Sequence, residues 1–134
     1  MTRRALRLAG ATILAAGAFA LPATTATAAS IDDAMGSFMV KLTPEDGAAI
    51  EVQLSCYPDG GSHPNATGAC ADLAEAEGDV RDIPPDNGAC PRIYTPVTAT
   101  LIGTWQGEER FYEALFANDC EAARNTGGDV FKLA

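Results

Sequence analysis

Four cysteines, Cys56, Cys70, Cys90 and Cys120, constrain this chain more than any other feature of its sequence. An even number in a small exported chain reads as a disulfide framework, and four cysteines allow three pairings among which sequence alone does not choose. Zinc is the competing use and fits poorly. Spacings of 14, 20 and 30 residues contain no C-x-x-C pair, and His63 is the sole histidine. If sequence neighbours pair, each bridge contributes about 3 kcal/mol on the chain-entropy account.

Export is read from the first thirty residues. Arg3, Arg4 and Arg7 precede a run without charge from Leu8 to Ser30, apolar through Leu21 and rich in Ala and Thr from Pro22 onward. A basic start, an apolar middle and the small-residue site Ala26-Thr27-Ala28 describe a cleavable export signal over residues 1–28. The apolar stretch is too short, and too rich in threonine at its end, for a membrane span. Thr2-Arg3-Arg4-Ala5-Leu6-Arg7 also has the look of a twin-arginine signal, the route for folded cargo. A general-secretion signal that happens to begin with two arginines is the plainer reading, and either one makes the protein secreted and extracellular.

Removing 28 of the 134 residues takes three of the nine basic residues and none of the 18 acidic ones, leaving 106 residues (29–134) with a net charge near −12. Such a length suits one domain with one core. Nucleic acid and anionic membrane surfaces are bound through Lys/Arg clusters. The remaining cations, Lys41, Arg81, Arg92, Arg110, Arg124 and Lys132, are scattered, so neither is an expected partner.

Along the mature chain, Phe38, Val40 and Leu42 alternate with Met39 and Lys41, the pattern of a strand with one buried face. Pro44-Glu45-Asp46-Gly47 supplies turn chemistry, and Ile50, Val52 and Leu54 alternate with Glu51, Gln53 and Ser55, so a hairpin is expected. Residues 57–64 read as loop. Thr67 is the expected N-cap of a helix running to about Glu77 and stopped by Gly78, with Cys70, Leu73 and Ala74 inward and Asp72 and Glu75 outward. Strand character resumes at Pro96 to Ile102, with Val97, Ala99 and Leu101 on one face, Gly103 to Gly107 reads as strand end and turn, and a further strand runs from Arg110 to Phe116. One helical turn at Cys120 to Arg124 and a closing strand at Val130 to Leu133 complete an α+β layer fold.

The catalytic inventory is thin. His63 stands alone in a glycine-rich loop, where a structural or solvated role is the usual one, and the carboxylates Glu75, Glu77, Asp79, Glu108 and Glu109 read as solvated faces. No catalytic residue, metal site or cofactor is expected. Asn65-Ala66-Thr67 matches a glycosylation sequon, but helix capping explains the same residues. The unusual segment is Asn87 to Pro96. It has a cysteine near its start, prolines at Pro91 and Pro96, and Arg92, Ile93 and Tyr94 between them. Proline confines itself and its predecessor to extended conformations, so a disulfide plus two prolines holds this segment stiff. A protease requires that of a segment it binds as an added strand; a tethered connecting loop with a solvated Arg92 is the alternative.

The sequence resembles the subtilisin-inhibitor-like family of exported actinobacterial serine protease inhibitors from about Phe38 to Phe131. The motifs that carry the resemblance are Val52-Gln53-Leu54-Ser55-Cys56, Gly61-Ser62-His63-Pro64 and Gly68-Ala69-Cys70-Ala71-Asp72-Leu73. They continue in the same order with Cys90-Pro91-Arg92-Ile93-Tyr94-Thr95-Pro96-Val97, Trp105-Gln106-Gly107, Phe116-Ala117-Asn118-Asp119-Cys120 and Val130-Phe131. The resemblance implies pairing of Cys56 with Cys70 and of Cys90 with Cys120. It also implies a five-stranded antiparallel sheet with two helices on one face, and a homodimer packed through its sheets.

Carried over from that family, the resemblance implies a reactive site at the Arg92–Ile93 bond, supported by Cys90, Pro91, Tyr94 and Asn118. The family commonly has Asp where this chain has Thr95, and the turn from Pro44 to Ala49 is shorter than usual. The expected activity is therefore inhibition, not enzymatic catalysis. The expected partners are serine proteases, trypsin-like ones because Arg92 suits a primary pocket with a carboxylate, and subtilisin-like ones as well. A non-inhibitory secreted binding module on the same scaffold is the alternative, marked by rapid cleavage at Arg92–Ile93 without lasting inhibition.

Overall fold

Alternation at Phe38, Val40 and Leu42 places one side of a long strand in the core and the other against solvent. In the computed structural model, which describes Gly17, residues 21–23 and residues 34–134, this strand is β1 (Gly36–Pro44). The charged start and the Ala26-Thr27-Ala28 site of the expected export signal lie outside the described residues. β1 is the centre of the sheet. It pairs antiparallel with β2 (Ile50–Cys56) on one side and with β4 (Val97–Trp105) on the other. A two-residue β3 (Gly60–Gly61) extends the sheet beyond β2, and β5 (Glu108–Phe116) extends it beyond β4, giving the order β3-β2-β1-β4-β5.

Two helices and the C-terminal tail close one face. Ala69, Cys70 and Leu73 from α1 (Ala66–Glu75) and Ala122 from α2 (Asp119–Arg124) join Phe38, Val40, Leu42, Leu54, Val97, Ala99 and Leu101 in one buried cluster. Cys56–Cys70 ties the end of β2 to α1, and Cys90–Cys120 ties the segment before β4 to α2. The fold class, the hairpin and the implied disulfide pairing are therefore all present.

Several local expectations shift. The cap of α1 is Asn65, not Thr67: its side-chain oxygen accepts from the Gly68 N–H, so the helix begins two residues earlier. At the other end Glu77 and Gly78 both turn left-handed, with φ of 51° and 80°. The Glu77 and Gly78 amides donate back to the Ala74 and Leu73 carbonyls, the paired bonds of a Schellman stop. β4 runs on to Trp105, whose buried ring lies 6.3 Å from that of Phe38. Gln106 and Gly107, with φ of 50° and 81°, then form the two-residue turn that matches strand twist.

The expected strand at Val130 to Leu133 is not one. Val130 and Phe131 are adjacent and both buried, which alternating faces of an edge strand do not allow, and the segment coils across the end of the core. His63 meets it there. Its Nδ1 accepts from the Asn65 N–H, which leaves Nε2 as the donor to the Val130 carbonyl at 3.0 Å. The fifth strand is instead the short Gly60–Gly61 pair.

Asp72 also departs from its expected outward position. It is half-buried, its Oδ2 is enclosed without a hydrogen-bond partner, and its pKa is pushed up to about 6. Burial is the main cause, followed by the charge of Asp129, with smaller contributions from Glu75 and Asp86; the Asp129 backbone N–H acts in the opposite direction. A carboxyl whose folded pKa is raised favours folding while it is protonated, so its contribution is complete below pH ~4 and is lost as pH rises through about 6. Asp72→Asn is expected to remove that decline. In thermal melts, the Tm advantage of the variant over the wild type should grow between pH 4 and pH 7, and a constant difference would contradict the assignment.

Candidate functional site

Residues 83–96 carry no regular secondary structure, and their sequence explains why. Pro84, Pro85, Pro91 and Pro96 lack the N–H that a ladder or a helix would use, and each restricts the residue before it. Ile83 and Pro96 are buried and anchor the two ends. Between them the chain is largely exposed. Ile93 is 56% and Tyr94 76% exposed, and Arg92 makes no hydrogen bond or ion pair among the described residues.

The bonds that hold residues 86–95 run to one short stretch, from Ala117 to Arg124, while the Pro96 carbonyl accepts from the Glu45 N–H. The Thr95 N–H donates to the Ala117 carbonyl at 2.8 Å, and Cys90 is bonded to Cys120. The Asp86 N–H donates to the Arg124 carbonyl at 2.7 Å, while the two side chains form an ion pair. Thr95 thus enters the bracing through its backbone.

Asn118 makes the attachment that matters most for geometry. It is buried, and it occupies the N-cap of α2, where its Oδ1 accepts from the Glu121 N–H at 2.9 Å. That bond fixes the orientation of the side-chain amide. Its Nδ2 then donates to the Ile93 carbonyl at 2.8 Å and to the Pro91 carbonyl at 3.3 Å. Those two carbonyls stand on either side of Arg92. One side chain therefore caps a helix and holds the main chain both before and after the Arg92–Ile93 bond. Of the residues singled out from sequence, Cys90, Pro91, Arg92, Ile93, Tyr94 and Asn118 come together here.

Other groups take no part. His63 is engaged under the C-terminal tail, and Glu108 pairs with Arg110. Among the described residues the one grouping with metal-ligand proximity is Cys56, Asp59 and Cys70, whose two sulfurs are joined in a disulfide. Sequence reasoning missed the Asp86–Arg124 contact, because residues 38 positions apart in irregular chain leave no local periodic signal.

The family described as Subtilisin inhibitor-like has a sequence model that matches residues 22–118. A protein of Streptomyces avermitilis is 39% identical, over 100% of this chain and 91% of its own length. The Subtilisin inhibitor of Streptomyces albogriseolus is 43% identical over 82 residues, 60% of this chain and 56% of that protein. Subtilisin inhibitor-like protein 3 of Streptomyces coelicolor is 44% identical over 57% of this chain and 71% of its own. Among solved structures, that of Streptomyces caespitosus sermetstatin in complex with Bacillus licheniformis subtilisin superposes with a TM-score of 0.55, covering 72% of this chain and 96% of that one. At 24% identity that likeness speaks for the fold.

Replacing Asn118 by alanine removes a helix cap, worth about 0.5–2 kcal/mol, and frees two loop carbonyls. Asn118→Asp keeps the cap acceptor but loses the amide donors, so it separates the two roles. Asn118→Asp is expected to hold Tm above that of Asn118→Ala while showing the same mobility at Arg92 to Tyr94 in NMR relaxation. Native-like rigidity of those residues in the Asp variant would refute the bracing role.

Proposed function

The chain belongs to the subtilisin inhibitor-like family, whose members are protease inhibitors and not enzymes, and from that premise we propose that it inhibits serine proteases as a slowly released substrate, with Arg92–Ile93 as the reactive bond. The observation that carries the proposal is the pair of Asn118 hydrogen bonds to the Pro91 and Ile93 carbonyls, one on each side of an exposed Arg92. A flexible peptide loses conformational entropy when a protease binds it. A loop held in place beforehand has already lost that entropy, so more of its contact energy appears as affinity.

The chemistry follows from the same bracing. The protease serine Oγ attacks the Arg92 carbonyl, an ester forms as the Arg92–Ile93 C–N bond breaks, and the proton from the serine passes through the protease histidine to the new amine of Ile93. Cys90–Cys120 holds the acyl side, and Asn118 holds the Ile93 carbonyl on the amine side. The amine stays beside the ester and attacks it in reverse at a high effective concentration, so religation outruns hydrolysis. The guanidinium of Arg92 suits a primary pocket bearing a carboxylate, which selects trypsin-like enzymes; subtilisin-like enzymes, with broader pockets, are the second target class.

Export to an oxidising compartment suits the two disulfides and the reading of residues 1–28 as a leader, with the inhibitor domain over 29–134. A homodimer packed through the open face of the sheet fits the exposed row there. Register places Met39 beside Ile102 and Ile102 beside Phe111, with Leu115 further along β5. Phe111 and Leu115 are 57% and 62% exposed, a patch that a second copy would cover.

Two outcomes test these readings. The mature protein should titrate trypsin tightly, and Arg92→Ala should raise the inhibition constant by ~100-fold or more with the Tm unchanged, as expected for loss of a buried charge-paired anchor. Equal potency of the variant would overturn the reactive-bond assignment, and fast cleavage of the wild type without inhibition would favour the binding-module reading. For the dimer, Phe111→Glu should shift the sedimentation coefficient to that of a monomer, whereas a monomeric wild type would remove the proposal.

A further inference from the structure

The arm that leads into the reactive bond, Asp86 to Cys90, is held differently from the bond itself. Among the described residues, the backbone groups of Asn87, Gly88 and Ala89 make no hydrogen bond within the protein. Asn87 and Ala89 are exposed. Among the described residues no strand pairs with the arm, and a cavity of about 560 Å³ borders it at Asp86 and reaches to Phe131 and Leu133. Core packing therefore does not set its course.

Arg124 does. Its carbonyl takes the Asp86 N–H, its guanidinium pairs with the Asp86 carboxylate, and the same guanidinium lies so close to Gly88 that a β-carbon at that position would overlap it. Arg124 also sits one helical turn after Cys120, which fixes the other end of the arm. An exposed ion pair on its own contributes little. Here it is combined with a backbone bond and a close approach on one residue, all from the side of the arm that faces α2. The backbone groups of Asn87, Gly88 and Ala89 are left unpaired, and a protease that binds an extended segment pairs with such groups N-terminal to the bond it attacks.

We propose that Arg124 is a positioning residue for protease binding, holding Asp86 and Gly88 so that the unpaired backbone of Asn87 to Ala89 continues the line of Pro91 and Arg92 into the protease cleft. The proposal rests on the inhibitor reading above. Arg124 touches neither the protease nor the reacting atoms; it acts through the arm.

The test compares the mature wild type with Arg124→Ala and with Arg124→Gln, which keeps much of the stem, removes the charge and serves should the alanine variant not fold. The readouts are trypsin inhibition, Tm and amide exchange of Asn87, Gly88 and Ala89 in the complex. Loss of Arg124 is expected to weaken inhibition about tenfold, nearly all through faster dissociation, because the arm must then be ordered on binding. Tm should fall by only a few degrees, and the three amides, protected in the wild-type complex, should exchange freely in the variant complex. A purely structural role would lower Tm and leave the inhibition constant and the exchange pattern intact at 25 °C, which would overturn the proposal. Absence of protection at these amides in the wild-type complex would overturn it equally. Failure of the wild type to inhibit any serine protease would instead remove the inhibitor reading, and this assignment with it.

Discussion

The side-chain amide of Asn118 is the point on which the geometry of the loop from Cys90 to Pro96 depends. Its acceptor is used by the Glu121 N–H at the start of α2, and its donor reaches the carbonyls on both sides of Arg92. Because the residue is buried, each group left unmade would cost more than the bond contributes when made. The loop is thereby coupled to the helix cap. The stability of α2 and the shape of the loop are one quantity seen from two sides, and the Cys90–Cys120 bridge, two residues further along, reinforces the same junction.

Under that junction lies a conventional core. β1 is paired on both edges and contributes Phe38, Val40 and Leu42 to a cluster that α1, α2 and the C-terminal tail complete. The rigidity of the loop is borrowed from this core through the short stretch Ala117–Arg124, which leaves β5 and leads directly into α2. Such an arrangement lets the exposed residues Arg92, Ile93 and Tyr94 vary with little cost to folding, because none of them belongs to the core cluster.

The strands were readable in the sequence wherever one face was buried, since Phe38-Val40-Leu42 and Val97-Ala99-Leu101 show period two without help from neighbours. Gly103 to Gly107 read as a strand end and turn, and β4 does close at Trp105, whose ring is buried against Phe38; the start of β5 at Glu108, two residues before its apolar alternation, was less readable. Val130 to Leu133 misled for the opposite reason, its apolar residues filling the end of the core as coil. At the loop, proline content and the cysteine disclosed stiffness, and Asn118 entered through the family resemblance alone. The Asp86–Arg124 contact and the crowding of Asp72 by Asp129 join residues 38 and 57 positions apart, and tertiary proximity of that kind has no signature in composition or spacing.

The two borders of the sheet carry a last consequence. β3 offers only two residues, and the nine-residue β5 carries Glu108, Glu109, Arg110 and Glu113. A short border and a charged one both discourage strangers from adding a strand. The backbone groups of Asn87, Gly88 and Ala89, left unpaired among the described residues, lie on a loop apart from both sheet borders. An inhibitor built this way would keep the backbone it offers to a protease away from the borders where copies of itself could pair.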